Sequence, residues 1–313
     1  MSEPEARGPE DHDALPAALY TDGMAPPDPP LFTGLFSVNG ATRLYGTIGD
    51  PIRQLRMTAI MPQVFAAVGV NAVWLPFEGG PPLLQLMLDA LRGRMRNLAG
   101  FTVTIPHKTA ILPLLDQVSP RAQAAGSVNL VKRDPSGALV GDIADGRGFV
   151  LGLEAAGHRV RGASVWLVGL GGVGGAIAAA LCEAGVGRLL VSELDEQRAD
   201  AALARLSRFY PAVPVTSADM PPKGIHYAIN ATSLGLRPDD PMPFDPVTLD
   251  TDVVMADIIM SPAETPLLKR ARTHGRRIHH GRHTLDHQVP LYLDWFGIDA
   301  KGIDIVRLVR AIP

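Results

Sequence analysis

At 313 residues the chain is long enough for two domains, each with its own hydrophobic core. Its apolar share of 46%, charged share of 19% and net charge of −3 are those of a globular protein. They exclude a basic field for nucleic acid and a polybasic membrane anchor; the expected partner is a small molecule, and a monomer or homodimer is expected without any residue to decide between them. The one cysteine, Cys182, cannot form an internal disulfide, and neither a secretory leader nor a bilayer-length apolar run is read, so a cytoplasmic setting is expected.

Residues 1–38 are rich in Pro, Asp, Glu and Ala and read as a flexible extension. From Thr42 the pattern alternates strand and helix. A strand over Leu44–Gly49 stops at Asp50-Pro51, and a helix follows from about Thr58 to Val68. A short apolar run at Asn71–Pro76 precedes a helix around Pro82–Leu91. Gly100–Pro106 is strand-like, and a helical segment starts near His107. Gly126–Val131 and Leu139–Gly141 read as strands flanking the turn Asp134-Pro135-Ser136-Gly137. The rhythm predicts an α/β fold with a mostly parallel sheet.

A second unit begins after Gly162. Ala163–Val168 is apolar throughout, as a strand buried on both faces should be. A glycine turn, Gly169–Gly175, separates it from an alanine-rich helix over Ala176–Ala184. Strands are expected at Leu189–Ser192, His226–Asn230 and Val253–Ile258, and Leu285–Ile312 reads as helical. The implied plan is a substrate domain over residues 39–146, completed by residues 284–313, and a Rossmann-type domain over residues 147–283.

Gly169-x-Gly171-x-x-Gly174, set between a strand and a helix, points to a dinucleotide. The first glycine permits the tight turn, the second lets a pyrophosphate approach the backbone, and the third allows close helix–strand contact. Gly172 and Val173 open the helix, whose N–H groups face the phosphates. Glu193 ends the next strand, about twenty residues on, where a carboxylate binds the ribose 2′-hydroxyl and repels a 2′-phosphate. Arg198, one helical turn later, is expected to face solvent. NAD is therefore favoured over NADP.

Taken in order, several segments resemble the shikimate/quinate dehydrogenase family from about Leu44 to the C-terminus. They are Gly46–Ile52, Phe101–Lys108, Ala125–Asn129, Gly141–Gly146, Gly169–Gly174, Asn230–Gly235, Asp257 with Thr265–Leu268, and Gly281 with Gln288. The resemblance implies Lys108 and Asp145 as the catalytic pair, the lysine relaying the hydroxyl proton while hydride moves to or from nicotinamide. It further implies that Thr104, Asn129 and Gln288 hydrogen-bond the substrate hydroxyls, and that Asn230, Thr232 and Gly281 border the cofactor. Asn129 could instead cap a turn and Gln288 sit exposed on a helix.

One end of the implied pocket departs from the family. The two serines that follow Gly-x-Pro-Ile there and hold a carboxylate are Leu55 and Met57 here, and a tyrosine after the Asp257 position is Met260. The Asn-Thr pair before the catalytic aspartate is Ile143-Ala144. Either Arg53 or Arg56 takes over the carboxylate, or the substrate carries none there; both arginines could equally face solvent. A non-catalytic dinucleotide sensor is the rival class, although it would have no need of a proton relay.

His283 and His287 are four apart, with Asp286 between them, a spacing that could gather a metal on one helix face. The family chemistry requires none, and no metal is expected. Tyr292, Leu291 and Trp295 read as an apolar helix face in the core, and the arginines of 92–96 and 270–277 as solvated faces.

Overall fold

The computed structural model describes residues 38–53, 55–218 and 223–312. The predicted N-terminal extension lies outside the described residues, Val38 excepted.

The first sheet is built from β1 (Arg43–Gly49), β2 (Ala72–Glu78), β3 (Gly100–Val103), β4 (Gln117–Val118), β5 (Leu130–Arg133) and β6 (Leu139–Asp142), in the order β2-β1-β3-β5-β6-β4. β1 pairs in parallel with β2 and β3, and β4 with β6, whereas β3–β5 and β5–β6 are antiparallel. The reversal between β5 and β6 comes from the predicted turn. Asp134 Oδ1 accepts from the Ser136 amide at 2.8 Å, and Gly137 adopts φ +94°. α1 (Met57–Val68), α2 (Pro81–Asp89), α3 (His107–Ala110), α4 (Pro120–Ala125) and α5 (Asp145–Ala155) accompany these strands.

The second sheet holds β7 (Ser164–Val168), β8 (Arg188–Ser192), β9 (Val215–Ser217), β10 (Tyr227–Asn230), β11 (Val254–Asp257) and β12 (Ile278–His279). Its order is β12-β11-β10-β7-β8-β9 and every pair is parallel. Counted from β7 this is the 3-2-1-4-5-6 order of the Rossmann fold, whose direction reverses between β7 and β10, the place where such sheets bind dinucleotides. α6 (Gly172–Glu183), α7 (Glu196–Phe209) and α8 (Pro266–Thr273) flank it, and α9 (Arg282–Phe296) and α10 (Ile305–Ala311) end the chain.

Two sequence expectations need correction. The helix after the glycine turn begins at Gly172, four residues before Ala176. Its opening glycines depress local helix propensity, but close packing needs them: a β-carbon on Gly175 would stand 2.4 Å from the Ala125 carbonyl oxygen. The last stretch is two helices, because Gly297 turns left-handed at φ +66° and ends α9. β4, β9 and β12, two or three residues long, carried too little periodicity to be read.

One core runs through both sheets, from Ile48, Phe101 and Val103 through α4, α5 and α6 to Val165, Leu167 and Ile229. A second joins α9 and α10 to the first sheet, where Tyr45, Met57, Phe65 and Trp74 pack with Val289, Tyr292, Phe296 and Val309. α9 is thereby fixed against the substrate-side sheet.

Candidate active site

Asp145 is the first residue of α5, where the helix dipole favours a carboxylate. Burying that charge costs several kcal/mol unless donors surround it. Three do. Lys108 Nζ donates to Oδ2 at 2.5 Å, and Asn129 Nδ2 and Gln288 Nε2 donate to Oδ1 at 2.9 and 2.6 Å. All four residues are at most 9% exposed. They come from four separate segments: α3, the approach to β5, α5 and α9.

The backbone explains how each arrives. α3 is a single turn after Pro106, and the Lys108 carbonyl accepts from the Val128 amide at 2.8 Å, tying it to the Ser127–Asn129 strip. Asn129 Oδ1 accepts from the Ala144 amide at 3.0 Å, so this side chain both holds the turn before α5 and reaches Asp145. Gln288 lies on α9 against Gly148 of α5, where an added β-carbon would stand 2.5 Å from Gln288 Cγ.

Two side chains went unread in the sequence. Tyr292, assigned to an apolar face, turns its hydroxyl into this cluster, 3.3 Å from Asn129 Nδ2 and 3.5 Å from Gln288 Oε1. Ser127, fully buried, donates to the Gly172 carbonyl at 2.7 Å and so joins the first sheet's loops to the glycine turn. It lies in Gly126-Ser127-Val128-Asn129, where a hydroxyl beside a site asparagine was the available signal.

The glycine turn follows β7. Gly169 takes φ +96°, and a β-carbon there would meet the Thr232 methyl at 2.8 Å. A β-carbon on Gly174 would stand 2.0 Å from the Gly169 carbonyl oxygen, whereas one on Gly171 would project into open space. The turn thus presents a concave, side-chain-free surface at the start of the 12-residue α6, which has no side-chain cap. Those features fit a diphosphate held by helix N–H groups. Val173 is part-buried against the core and contributes backbone there.

Glu193 stands beside the turn. Its carboxylate accepts from the Leu170 amide at 2.8 Å, the Asp195 amide at 3.1 Å and Arg198 Nη1 at 3.2 Å. Burial pushes its pKa up, but these bonds and the Arg198 charge prevail and hold it below the usual carboxylate value. Arg198 corrects the sequence reading: although half-exposed, it folds back onto Glu193 and Asp195, both at 3.2 Å. An arginine does stand beside the acidic residue, because α7 starts at Glu196 and brings its first turn over the end of β8.

Asn230 and Thr232 lie across the switch point at the end of β10. Asn230 Oδ1 accepts from the Thr232 hydroxyl at 2.7 Å, and its Nδ2 donates to the buried Asp257 at 3.2 Å. Burial raises the pKa of Asp257 although four donors oppose the shift. Gly281 packs on the backbone after β11, where an added β-carbon would meet Ile258 at 2.5 Å.

Thr104 is part-buried at the end of β3, its methyl 2.3 Å from where a Gly49 β-carbon would be. Arg53 is exposed, and Arg56 is part-buried before α1. Burial and then the charge of Arg282 lower the Arg56 pKa, against the pull of Asp286. Neither arginine bonds to the Asp145 cluster. Leu55 and Met57 pack into the second core, and Met260 is 39% exposed.

His283 Nδ1 stands 3.7 Å from Asp286 Oδ2 on one face of α9, as the spacing suggested, and Arg310 reaches Asp286 and His287 there, each at 3.2 Å. His279 is buried, with ring centroids 4.9 Å from His283, 5.7 Å from His158 and 5.9 Å from Phe149. Among the described residues no three His, Cys, Asp or Glu side chains are grouped to hold a metal.

Lys108 rests against the glycine turn, its Cβ 3.1 Å from where a Gly172 β-carbon would stand. A Rossmann-ordered sheet, its glycine turn and an ammonium–carboxylate pair seated on that turn define a nicotinamide-dependent oxidoreductase. The family profile described as the shikimate dehydrogenase substrate binding domain matches residues 47–131. A Symbiobacterium thermophilum protein named shikimate dehydrogenase (NADP(+)) is 35% identical over 279 residues, covering 86% of this chain and 93% of that one. The chain belongs to the shikimate/quinate dehydrogenase family.

Two solved structures extend the comparison. Quinate dehydrogenase from Corynebacterium glutamicum in complex with NAD superposes with a TM-score of 0.73 at 31% identity, covering 86% of this chain and 98% of that one. The ligand-free 5-ketofructose reductase of a Gluconobacter strain gives 0.75 at 26% identity, covering 87% and 99%. No described helix is long and apolar enough to cross a membrane.

Proposed function

We propose that the protein catalyses reversible hydride transfer between a nicotinamide cofactor and a ring hydroxyl or ketone of a shikimate- or quinate-like substrate. The observation that carries the reading is the buried Lys108–Asp145 contact at 2.5 Å, seated against Gly172. The bound nicotinamide supplies or accepts the hydride at carbon. In the reducing direction Lys108 Nζ gives a proton to the substrate oxygen as the carbonyl becomes an alcohol. In the oxidising direction the same nitrogen takes the hydroxyl proton. Asp145 orients Lys108 and offsets its charge. Thr104 and the second N–H of Gln288 bind the substrate hydroxyls, and Asn129, both of whose N–H groups are given to Asp145 and Tyr292, borders them.

The preferred cofactor is NAD. Glu193 is held ionised where the ribose 2′-hydroxyl sits, and a carboxylate there repels a 2′-phosphate. Arg198 tempers that repulsion, and the NADP(+) name of the Symbiobacterium relative makes the preference one of degree. The lone Cys182, without a disulfide partner, supports a cytoplasmic setting, and the working unit is a monomer or homodimer.

The apolar packing of part-buried Leu55 and buried Met57, and the likeness to a protein named for a neutral keto-sugar, favour a second reading: a cyclic or sugar-like substrate without a carboxylate. Under the first reading Arg53 or Arg56 receives that carboxylate. Steady-state rates with shikimate, quinate and carboxylate-free cyclic polyols, each with NAD and NADP, separate the two. Turnover confined to the acids sinks the second; turnover confined to the neutral polyols sinks the first. Cofactor binding without turnover on any substrate would identify a sensor and sink both.

A further inference from the structure

We infer that Tyr292 is a positioning residue for the Lys108–Asp145 couple, its hydroxyl closing a ring of side chains that fixes the facing of the Asn129 and Gln288 amides. The inference rests on the proton-relay reading above. Around the ring every donor meets an acceptor. Asn129 Nδ2 donates to Asp145 Oδ1 at 2.9 Å and to Tyr292 Oη at 3.3 Å. Tyr292 Oη donates to Gln288 Oε1 at 3.5 Å, and Gln288 Nε2 donates back to Asp145 Oδ1 at 2.6 Å.

An amide group is nearly symmetric in shape but not in polarity, so its facing is set by its partners. The Ala144 amide, donating to Asn129 Oδ1 at 3.0 Å, already fixes one amide. Gln288 is fixed by Asp145 and Tyr292. A phenol can accept from one amide and donate to the other at once, a role an apolar side chain cannot fill. A flipped Gln288 would replace its Nε2 donor with an oxygen facing the carboxylate, and the repulsion would push Asp145 out of its place against Lys108.

The phenol is itself held in place and kept protonated. Its ring stacks on Trp74 with centroids 6.3 Å apart and planes 6° from parallel. Trp74 Nε1 donates to Thr47 Oγ1 at 3.0 Å, and Thr47 pairs with Thr102 at 2.8 Å. Burial, reinforced by the Asp145 charge, keeps the Tyr292 pKa well above its ordinary value. The hydroxyl therefore remains a donor across the working pH range.

The test is Tyr292→Phe in the full chain, read in two ways. With quinate and shikimate as probes, kcat/KM is expected to fall about tenfold and the acid limb of its pH profile to move. A packing role would lower Tm and leave that limb in place. Combined with Asn129→Ala, the two losses are expected to be clearly less than multiplicative. Independently of turnover, the 15N side-chain amide signals of Asn129 and Gln288 are expected to shift together. Should the variant fail to fold, the unaltered protein still decides: a slowly exchanging Tyr292 hydroxyl proton should show cross-peaks to both amides, and their absence overturns the ring. If Lys108→Ala keeps wild-type turnover, the relay reading falls. If Lys108→Ala is inactive while Tyr292→Phe stays within twofold with unmoved amide signals, this inference alone falls.

Discussion

The side chain of Lys108 lies on Gly172, its Cβ 3.1 Å from where a β-carbon on that glycine would stand. The proposed proton-handling group and the proposed cofactor turn are thus in direct contact, and Ser127 reinforces the joint through the Gly172 carbonyl. A methyl at Gly172 would meet Lys108 Cβ, an atom fixed to the backbone of α3, so α3 must give way by a few tenths of an ångström. Gly172→Ala is expected to fold normally and to lower kcat about tenfold, since small misplacements of reacting groups are costly. An unchanged kcat in steady-state assays would show that the contact is incidental.

Gly146 provides the contrast. It follows Asp145 on α5, and a β-carbon there would stand 1.9 Å from the Ala176 carbonyl oxygen of α6. Here the obstacle is backbone, so α5 and α6 must separate. Gly146→Ala should lower the thermal midpoint by several degrees or prevent folding, as overpacking costs about 1–3 kcal/mol or more. A midpoint equal to that of the wild type would contradict the described α5–α6 packing.

Lys108→Met removes the proposed proton carrier while keeping an unbranched stem. Turnover is expected to drop about 10²–10⁴-fold. NAD affinity by fluorescence titration should change little, because Gly169–Gly174 and Glu193 are untouched. Asp145 then lies buried without its cation, so a loss of stability of about 3 kcal/mol or more is also expected.

Glu193→Ala tests cofactor choice. Without the carboxylate, the NAD-to-NADP ratio of kcat/KM should move towards NADP by about tenfold or more, with Arg198 released to meet a 2′-phosphate. Arg198→Ala should move it the other way. A ratio insensitive to both would place discrimination elsewhere.

His279 gives stability a pH dependence. Burial, then the charges of His283 and His158, lower its pKa from 6.5 to about 3. The folded state therefore keeps it neutral while the unfolded chain takes up a proton below pH 6.5. Stability is lost progressively as pH falls from 6.5 towards 3, on the order of 3 kcal/mol by pH 4 from this group. Urea unfolding of wild type and His279→Gln at pH 7 and pH 4 checks it: the variant should show the smaller decline.

Much of the site was legible in the sequence because it is carried by local chemistry. Gly169 and Gly174 are required by the turn itself, and the Asp134–Gly137 turn follows from short-range hydrogen bonding. Tyr292 was not legible, since four-residue helical spacing with apolar neighbours looks the same whether a phenol meets carbon or an amide. Ser127 was hidden likewise, its partner lying 45 residues ahead. Arg198 was misread because a helix drawn alone does not show which strand end its first turn covers.

By itself, then, the order of residues determined two α/β units, a dinucleotide-type turn and the pairing candidates Lys108 and Asp145, because propensity, periodicity and turn chemistry act over a few residues. Only the tertiary structure decided that Asp145 draws donors from α3, α9 and the approach to β5, that Arg198 bends back to Glu193, and that Lys108 sits on Gly172. Apart from the five-residue Arg198–Glu193 contact, these join segments far apart in the chain. What selects them is the need to satisfy buried charge once the two sheets share a core, a condition that exists only when the whole chain has folded.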